Sequence, residues 1–190
     1  MTVEEITELF SRDGLYRCAR WGRPVAPVIF GLSDETLDIF RTVTRAALGH
    51  AGHLLAETDP EMGANMMTFF LRDWDELDDI PDLDLLTGIQ DLPERLRRAD
   101  ADRYRIFRFD AGGGIRACLN FLSMDGPLAE EHPARLAEAV VMRSLLTFSR
   151  EVAPSRPLAE LIRAAYDPVM PVLAIDPTHA MRLAARLGRG

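Results

Sequence analysis

The chain has 190 residues, of which 47% are hydrophobic and 27% charged, a composition typical of a globular domain. Its formal net charge of −8 disfavours nucleic acids and anionic membranes as partners, because both attract basic surfaces. All 22 basic residues are arginine, and the lack of lysine excludes a Schiff-base lysine, a P-loop lysine and a Ser-Lys dyad.

The N-terminus and the two cysteines indicate where the protein works. Residues 1–6 are acidic and lack the basic and apolar regions of a signal peptide, and no apolar run approaches the roughly 20 residues that span a bilayer. Cys18 and Cys118 lie far apart, which does not suggest a disulfide framework. We therefore expect a cytoplasmic protein with one domain over residues 1–190 and a core at about 19–187.

The first half of the chain predicts two helices and two strands. Val3–Phe10 has the pattern of a short amphipathic helix, and residues 19–30 lead into a strand. Two prolines in that strand lack a backbone donor, which predicts an edge position. A broad apolar face predicts the longest helix over residues 35–57, and residues 64–72 are apolar enough for a central strand.

A hairpin organises the second half. Residues 104–109 alternate between apolar and polar, the glycine-rich residues 110–114 can reverse the chain, and residues 115–122 return. Apolar residues at helical spacing predict a helix over 135–149 behind this hairpin. Further helices are predicted at 92–99, at 157–165, and from Asp176-Pro177 to Gly188. Hairpin-linked strands followed by a helical C-terminal segment indicate an α+β fold, with a small mixed sheet packed against long helices.

The charged residues cluster in two neighbouring segments. Residues 73–84 are strongly acidic and predict a solvated loop, with Trp74 packed against the body of the protein. The one basic cluster follows and includes Arg105 and Arg108. Guanidinium groups can bind a phosphate or a carboxylate bidentately, so an anion pocket at these two arginines is one candidate site. The simpler alternative is that the cluster balances the acidic loop.

The histidines suggest a second candidate site. His50 and His53 lie three residues apart on the predicted long helix, and Glu57 follows one turn later, a spacing that can hold a metal ion. The structural alternative is a polar helix end exposed to water. His132 and His179 have no partner that is apparent in the sequence. Gly-x-Ser-x-Gly and dinucleotide-binding motifs are missing, so we expect no cofactor.

Several short motifs together resemble a known family. They are Arg20-Trp21, Pro24-Val25, Gly31, Ala64-Asn65, the segment 161–170 with its Tyr166-Asp167-Pro168, and the segment 180–185. Over roughly residues 19–187 the chain resembles an uncharacterised proteobacterial domain family of the zincin-like (metzincin-type peptidase) clan. The resemblance implies a long first helix, a mixed sheet whose edge strand lines a cleft, and a second helix that carries the metal motif. It assigns residues 35–57, 104–122 and 135–149 to these three parts.

The chain departs from that family at the metal motif. A working zincin needs His-Glu-x-x-His on the second helix, where two imidazoles hold zinc and the carboxylate acts as base. The matching positions here are Val140, Val141 and Ser144, and none of them can hold zinc in the required way. The resemblance therefore implies a zincin shape without its metal or base, and without peptidase activity.

Three functional hypotheses remain open. The first is a non-catalytic, zincin-like binding or interaction domain, in which an extended peptide or protein segment adds to the exposed edge of the hairpin. Its candidate binding residues are Arg105, Arg108, Trp21, Tyr166 and Asp167. The second is a metal- or anion-dependent hydrolase that uses either His50, His53 and Glu57 or a pocket at Arg105 and Arg108. The third is a structural subunit of a homo-oligomer, assembled through the methionines and the apolar terminal helix.

Overall fold

The computed structural model describes residues 1–187, which form an α+β fold as predicted. The helices in this part are α1 (Val3–Phe10), α2 (Asp34–Ala51), α3 (Leu83–Thr87), α4 (Leu92–Arg98), α5 (Pro133–Leu145), α6 (Arg156–Ala165) and α7 (Thr178–Ala184). The strands are β1 (Ser11–Arg12), β2 (Leu15–Tyr16), β3 (Cys18–Ala19), β4 (Pro27–Phe30), β5 (Met66–Leu71), β6 (Arg103–Phe109), β7 (Ile115–Ser123) and β8 (Leu173–Ala174).

The main sheet has four strands in the order β4-β5-β7-β6. Strands β4, β5 and β7 run parallel, whereas β6 is antiparallel to β7. The predicted central strand is therefore β5, and the proline-containing strand is at an edge, both as the sequence indicates. The remaining strands form two short pairs, β1 with β2 and β3 with β8.

The predicted hairpin joins β6 and β7 through a turn that Asp110 holds together. Its carboxylate accepts hydrogen bonds from the backbone N–H groups of Gly112 and Gly114, at 2.9 and 3.0 Å. Gly113 has φ +80°, a left-handed conformation that a side chain disfavours, so the glycine run is needed for the chain to reverse here. This hairpin places β6 at the outer edge of the sheet.

Helix α2 is shorter than predicted, because it ends at Ala51 and not at residue 57. Gly52 adopts a left-handed conformation (φ 70°) and donates its N–H to the carbonyls of Leu48 and Gly49, which terminates the helix. The chain then runs extended beside Val25, which donates its backbone N–H to the carbonyl oxygen of Leu54. The prediction was too long because apolar residues continue at helical spacing beyond Gly52. In the structure these residues lie in an extended segment.

Other boundaries also differ from the sequence-based predictions. Helix α5 ends at Leu145 and not at residue 149, because Leu146 is extended and bridges to Arg20. The strand predicted over 19–30 is divided into β3 and β4, and the acidic loop contains a 3-10 turn and α3. Helix α7 covers the start of the predicted terminal helix, whose predicted end at Gly188 lies outside the described residues.

The sheet separates two apolar layers. On one face Phe70 and Leu122 pack against Phe40 of α2 and Val140 of α5. On the other face Phe121 and its neighbours pack under α3, α4 and the 3-10 turn of the acidic segment, where Trp74 is buried as predicted. A third cluster joins α1, α6 and α7 to the end of α5. Both long helices, α2 and α5, thus lie against one face of the sheet.

Two further features bear on the sequence-based expectations. Within residues 1–187, every helix is too short or too polar to cross a bilayer. Cys18 and Cys118 are both buried free thiols, and burial raises the pKa of Cys118 to about 11.

Candidate binding groove along an open strand edge

The outer edge of β6 presents unpaired backbone groups. Ser123 donates its N–H to the carbonyl of Asp102, and this fixes which residues of the antiparallel ladder face β7. By alternation, the N–H and C=O groups of Arg103, Arg105 and Phe107 point away from β7. Within residues 1–187, β7 is the strand that pairs with β6, so these outward groups have no strand partner.

A groove of about 540 Å³, which we call the β6 groove, runs beside this edge. Residues of β6, of the N-terminal segment and of the region around the end of α5 line it: Phe10, Arg12, Leu15, Arg17, Arg103, Tyr104, Arg105, Phe107, Phe109, Arg143 and residues 147–151. The outward backbone groups and the groove belong to the same stretch of β6. A ligand in the groove would therefore lie against a strand edge that can accept one more strand.

The aromatic residues of the groove are partly covered by arginine side chains. The guanidinium carbon of Arg17 lies 3.9 Å from the centre of the Phe109 ring, and that of Arg105 lies 4.9 Å from the centre of the Phe107 ring. Phe10 and Phe148 stack with ring centres 5.3 Å apart. These rings give the groove an apolar base and hold two of its cations by cation–π contacts.

The arginine at the inner end of the groove is positioned by helix α5. Arg105 donates hydrogen bonds to the carbonyl oxygens of Arg143, in the last turn of α5, and of Phe148. The next two carbonyls of α5 accept from Trp21 Nε1 (2.8 Å, to Ser144) and from the Tyr166 hydroxyl (2.7 Å, to Leu145). Carbonyls in the last turn of a helix lack intrahelical partners, so three side chains from distant segments satisfy them.

Burial shifts the proton affinity of the groove's inner arginines. Burial lowers the pKa of Arg105, and it lowers that of Arg143 to about 10, although the nearby Glu151 carboxylate counteracts the effect on both. Arg143 is 7% exposed, pairs with Glu151 through its Nη2, and has a buried Nε without a hydrogen-bond partner in the described structure. Burial therefore disfavours the charged form of both side chains, and the Glu151 carboxylate opposes this effect.

The anion pocket predicted at Arg105 and Arg108 is not formed by those two residues together. They lie on opposite faces of β6, since Arg105 points to the groove and Arg108 donates to the carbonyl of Leu86 on the other face. The alternative interpretation, balance of the acidic loop, holds for Arg97, which forms ion pairs with Asp75 and Asp78.

The three candidate metal ligands are likewise not brought together. His50 Nε2 lies 3.1 Å from the carbonyl oxygen of Ala159, whereas His53 Nε2 lies 2.8 Å from that of Arg23. His53 and Glu57 follow the end of α2, so the helical spacing that suggested a shared metal does not exist. Burial lowers the pKa of His53. Within residues 1–187, no group of three or more histidine, cysteine or acidic side chains is arranged to hold a metal ion.

The remaining candidate binding residues hold the fold together. Trp21 is 0% exposed and Tyr166 is 7% exposed, and both contact the end of α5 as described above. Asp167 accepts hydrogen bonds from the N–H of Val169 and from Arg186 Nε, so it ties α7 to the preceding loop. On α5, Val140 is largely buried and Ser144 bonds the side chain of Asn120, which fixes the helix against β7.

Comparison with known proteins adds no relative. The chain matches no family model, no curated protein and no solved structure.

Four arginines of the groove are not in the basic cluster that the sequence indicates, namely Arg12, Arg17, Arg143 and Arg150. They come from the turn after α1, from α5 and from the segment after it, and the tertiary structure brings them together. The usable signal in the sequence was the Arg103–Arg105 spacing, because residues two apart on a strand share a face. That spacing places Arg103 and Arg105 on one face of β6, but it does not indicate which other arginines join them.

Proposed function

We propose that this protein binds an extended peptide or protein segment, which adds as a strand to the outer edge of β6. The observation that carries the proposal is the row of outward N–H and C=O groups at Arg103, Arg105 and Phe107 beside the β6 groove. In strand addition, main-chain hydrogen bonds supply affinity and pockets for alternate side chains supply specificity. Both requirements are present along the same strand.

The proposed zincin-like relationship agrees with this role. A long α2, a mixed sheet with an antiparallel edge strand, and a helix α5 beside the groove are the parts that the resemblance implies. With Val140, Val141 and Ser144 at the positions of the zinc motif, we propose a cleft that binds a peptide but does not cleave it. Two buried free thiols are consistent with the cytoplasm, which we propose as its location.

Amide hydrogen exchange measured by NMR tests strand addition directly. A peptide that binds is first selected from a library of extended heptapeptides displayed against the folded protein. In the free protein we expect slow exchange at Tyr104 and Ile106, whose N–H groups face β7, and fast exchange at Arg105 and Phe107. Bound peptide should slow exchange at Arg105 and Phe107 at least tenfold, because their N–H groups acquire an acceptor.

A matched peptide provides the control. Methylation of alternate peptide nitrogens removes the donors that face β6 and leaves every side chain in place, so we expect the methylated peptide to lose at least tenfold in affinity. Protection that appears at another edge, or equal binding of the methylated peptide, would refute the proposal. Light scattering on the protein without peptide shows whether a second copy fills this edge. A dimer protected at Arg105 and Phe107 would assign strand addition to self-association.

A further inference from the structure

The β6 groove has a charge opposite to that of the whole protein. The chain carries a formal net charge of −8, yet six of the groove-lining residues are arginines and one, Glu151, is acidic. A concentrated patch of one sign in a concave surface strengthens the local field and attracts ligands of opposite sign. The net negative charge of the protein repels anions, whereas the basic groove attracts them. An anionic partner would therefore bind at this groove.

Three of the six arginines have carboxylate partners within the protein. Arg103 pairs with Asp102, Arg143 with Glu151, and Arg150 with Glu8. The other three have none within residues 1–187: Arg12 donates to the carbonyl of Ser149, Arg17 lies on the Phe109 ring, and Arg105 donates to carbonyl oxygens. The groove therefore contains three guanidinium groups that form no ion pair with a carboxylate in this part of the chain, although the Glu151 carboxylate is near Arg105.

The way these arginines are held leaves them able to bind carboxylates. A guanidinium that stacks on an aromatic ring uses its flat face, and its N–H groups, which lie in the plane, stay available for bidentate hydrogen bonds. Arg17 stacks in this way and is exposed to solvent. Arg105 is fixed by α5 and by the Phe107 ring, so little further ordering is needed when an anion binds beside it.

The strand edge and the arginines are in register. Side chains of Arg103, Arg105, Phe107 and Phe109 all point into the groove, since residues two apart on a strand share a face. A strand added at this edge would also turn every second side chain toward the groove. Carboxylates at alternate positions of that strand would then reach the arginines, while the intervening side chains would face the opposite layer of the protein.

We propose that the segment bound by strand addition carries aspartate or glutamate at alternate positions, and that Arg12, Arg17 and Arg105 bind these carboxylates in the β6 groove. This inference rests on the proposed function and specifies the ligand of the same site. Asp and Glu side chains supply a planar, singly charged group that fits the guanidinium fork. Electrostatic attraction would speed association and determine which extended segments are accepted.

Fluorescence anisotropy with synthetic peptides tests the inference. The probe is a labelled octapeptide of alternating threonine and glutamate, compared with the threonine and glutamine version and with an N-methylated glutamate version. We expect the glutamate peptide to bind at least tenfold more tightly than the glutamine peptide at low salt. The difference should shrink at about 0.5 M salt, because screening weakens exposed ion pairs.

Variants of the exposed arginines locate the effect. Arg12→Gln combined with Arg17→Gln should weaken the glutamate peptide about fivefold and leave the glutamine peptide unchanged, since each exposed pair contributes modestly. Arg45→Gln combined with Arg163→Gln removes the same charge from exposed positions outside the groove and should change neither affinity. Circular dichroism confirms that all four substitutions leave the fold intact.

The outcomes separate this inference from the proposed function. Equal binding of the glutamate and glutamine peptides, with loss on N-methylation, would leave strand addition standing and overturn the acidic preference. If the glutamate peptide binds tightly and its affinity is the same with and without N-methylation, the acidic preference is supported and strand addition is overturned. Equal losses in the two double variants would show that binding follows overall charge, which refutes an assignment to the groove. A phosphopeptide that outcompetes the glutamate peptide would replace carboxylate by phosphate as the ligand.

Discussion

Acidification should destabilise this protein through His179, a buried histidine that the sequence left without a partner. His179 is 4% exposed, and its Nδ1 lies 2.9 Å from the Tyr16 hydroxyl, while its Nε2 is buried without a hydrogen-bond partner in the described structure. Burial, together with the smaller effect of the Arg182 and Arg186 charges, lowers its pKa from 6.5 to about 4. The folded protein therefore holds this imidazole neutral.

The size of the effect follows from the difference in proton binding between the two states. Since the pKa of His179 is lower in the folded protein, its contribution is fully present above pH 6.5 and is lost as pH falls towards 4. A group with these two pKa values removes about 2 kcal/mol from the free energy of unfolding between pH 7.5 and pH 5.

Urea unfolding at the two pH values measures this loss, and a His179→Gln variant isolates it. Glutamine does not titrate, so the variant lacks this loss. Between pH 7.5 and pH 5, the free energy of unfolding of the parent protein should therefore fall by about 1–2 kcal/mol more than that of the variant. The imidazole C–H resonance of His179 in NMR spectra reports its pKa independently. A titration midpoint near 6.5, or equal pH dependence in both proteins, would refute this account of His179.

Two further predictions follow from the backbone and from the thiols. Gly31→Ala should destabilise the protein by about 1–3 kcal/mol in urea unfolding, because φ is +85° and a Cβ would collide with the Phe70 carbonyl oxygen. The matched Gly49→Ala, with open space in helix α2, should stabilise it by about 0.5–1 kcal/mol, and a loss at both glycines would contradict this. Cys18 and Cys118 should resist a thiol reagent at pH 8 until urea unfolds the chain, because burial raises both pKa values; rapid labelling of the native protein would contradict this.

Local patterns in the sequence were sufficient to predict most of the helices and strands. Alternation over residues 104–109, the glycine run and the apolar return strand predicted the β6–β7 hairpin, since each signal lies within a few residues of the structure it forms. Prolines predicted the edge position of β4, and the helical apolar spacing predicted α2 and α5. Boundaries were less accurate where a cap decides them, as at Gly52, because apolar residues continue past the cap in an extended segment.

The candidate site depended on contacts between distant parts of the chain. Arg105 and Arg143 are 38 positions apart, and Arg17, from the N-terminal segment, contacts Phe109 in the middle of the chain. The sequence by itself determined the hairpin, the α+β class and the edge position of β4, because short-range patterns encode these. Only the tertiary structure decided which arginines share the groove and that Trp21 and Tyr166 bond the last carbonyls of helix α5. It also decided that His50 and His53 contact different parts of the chain. These outcomes depend on how separate elements pack.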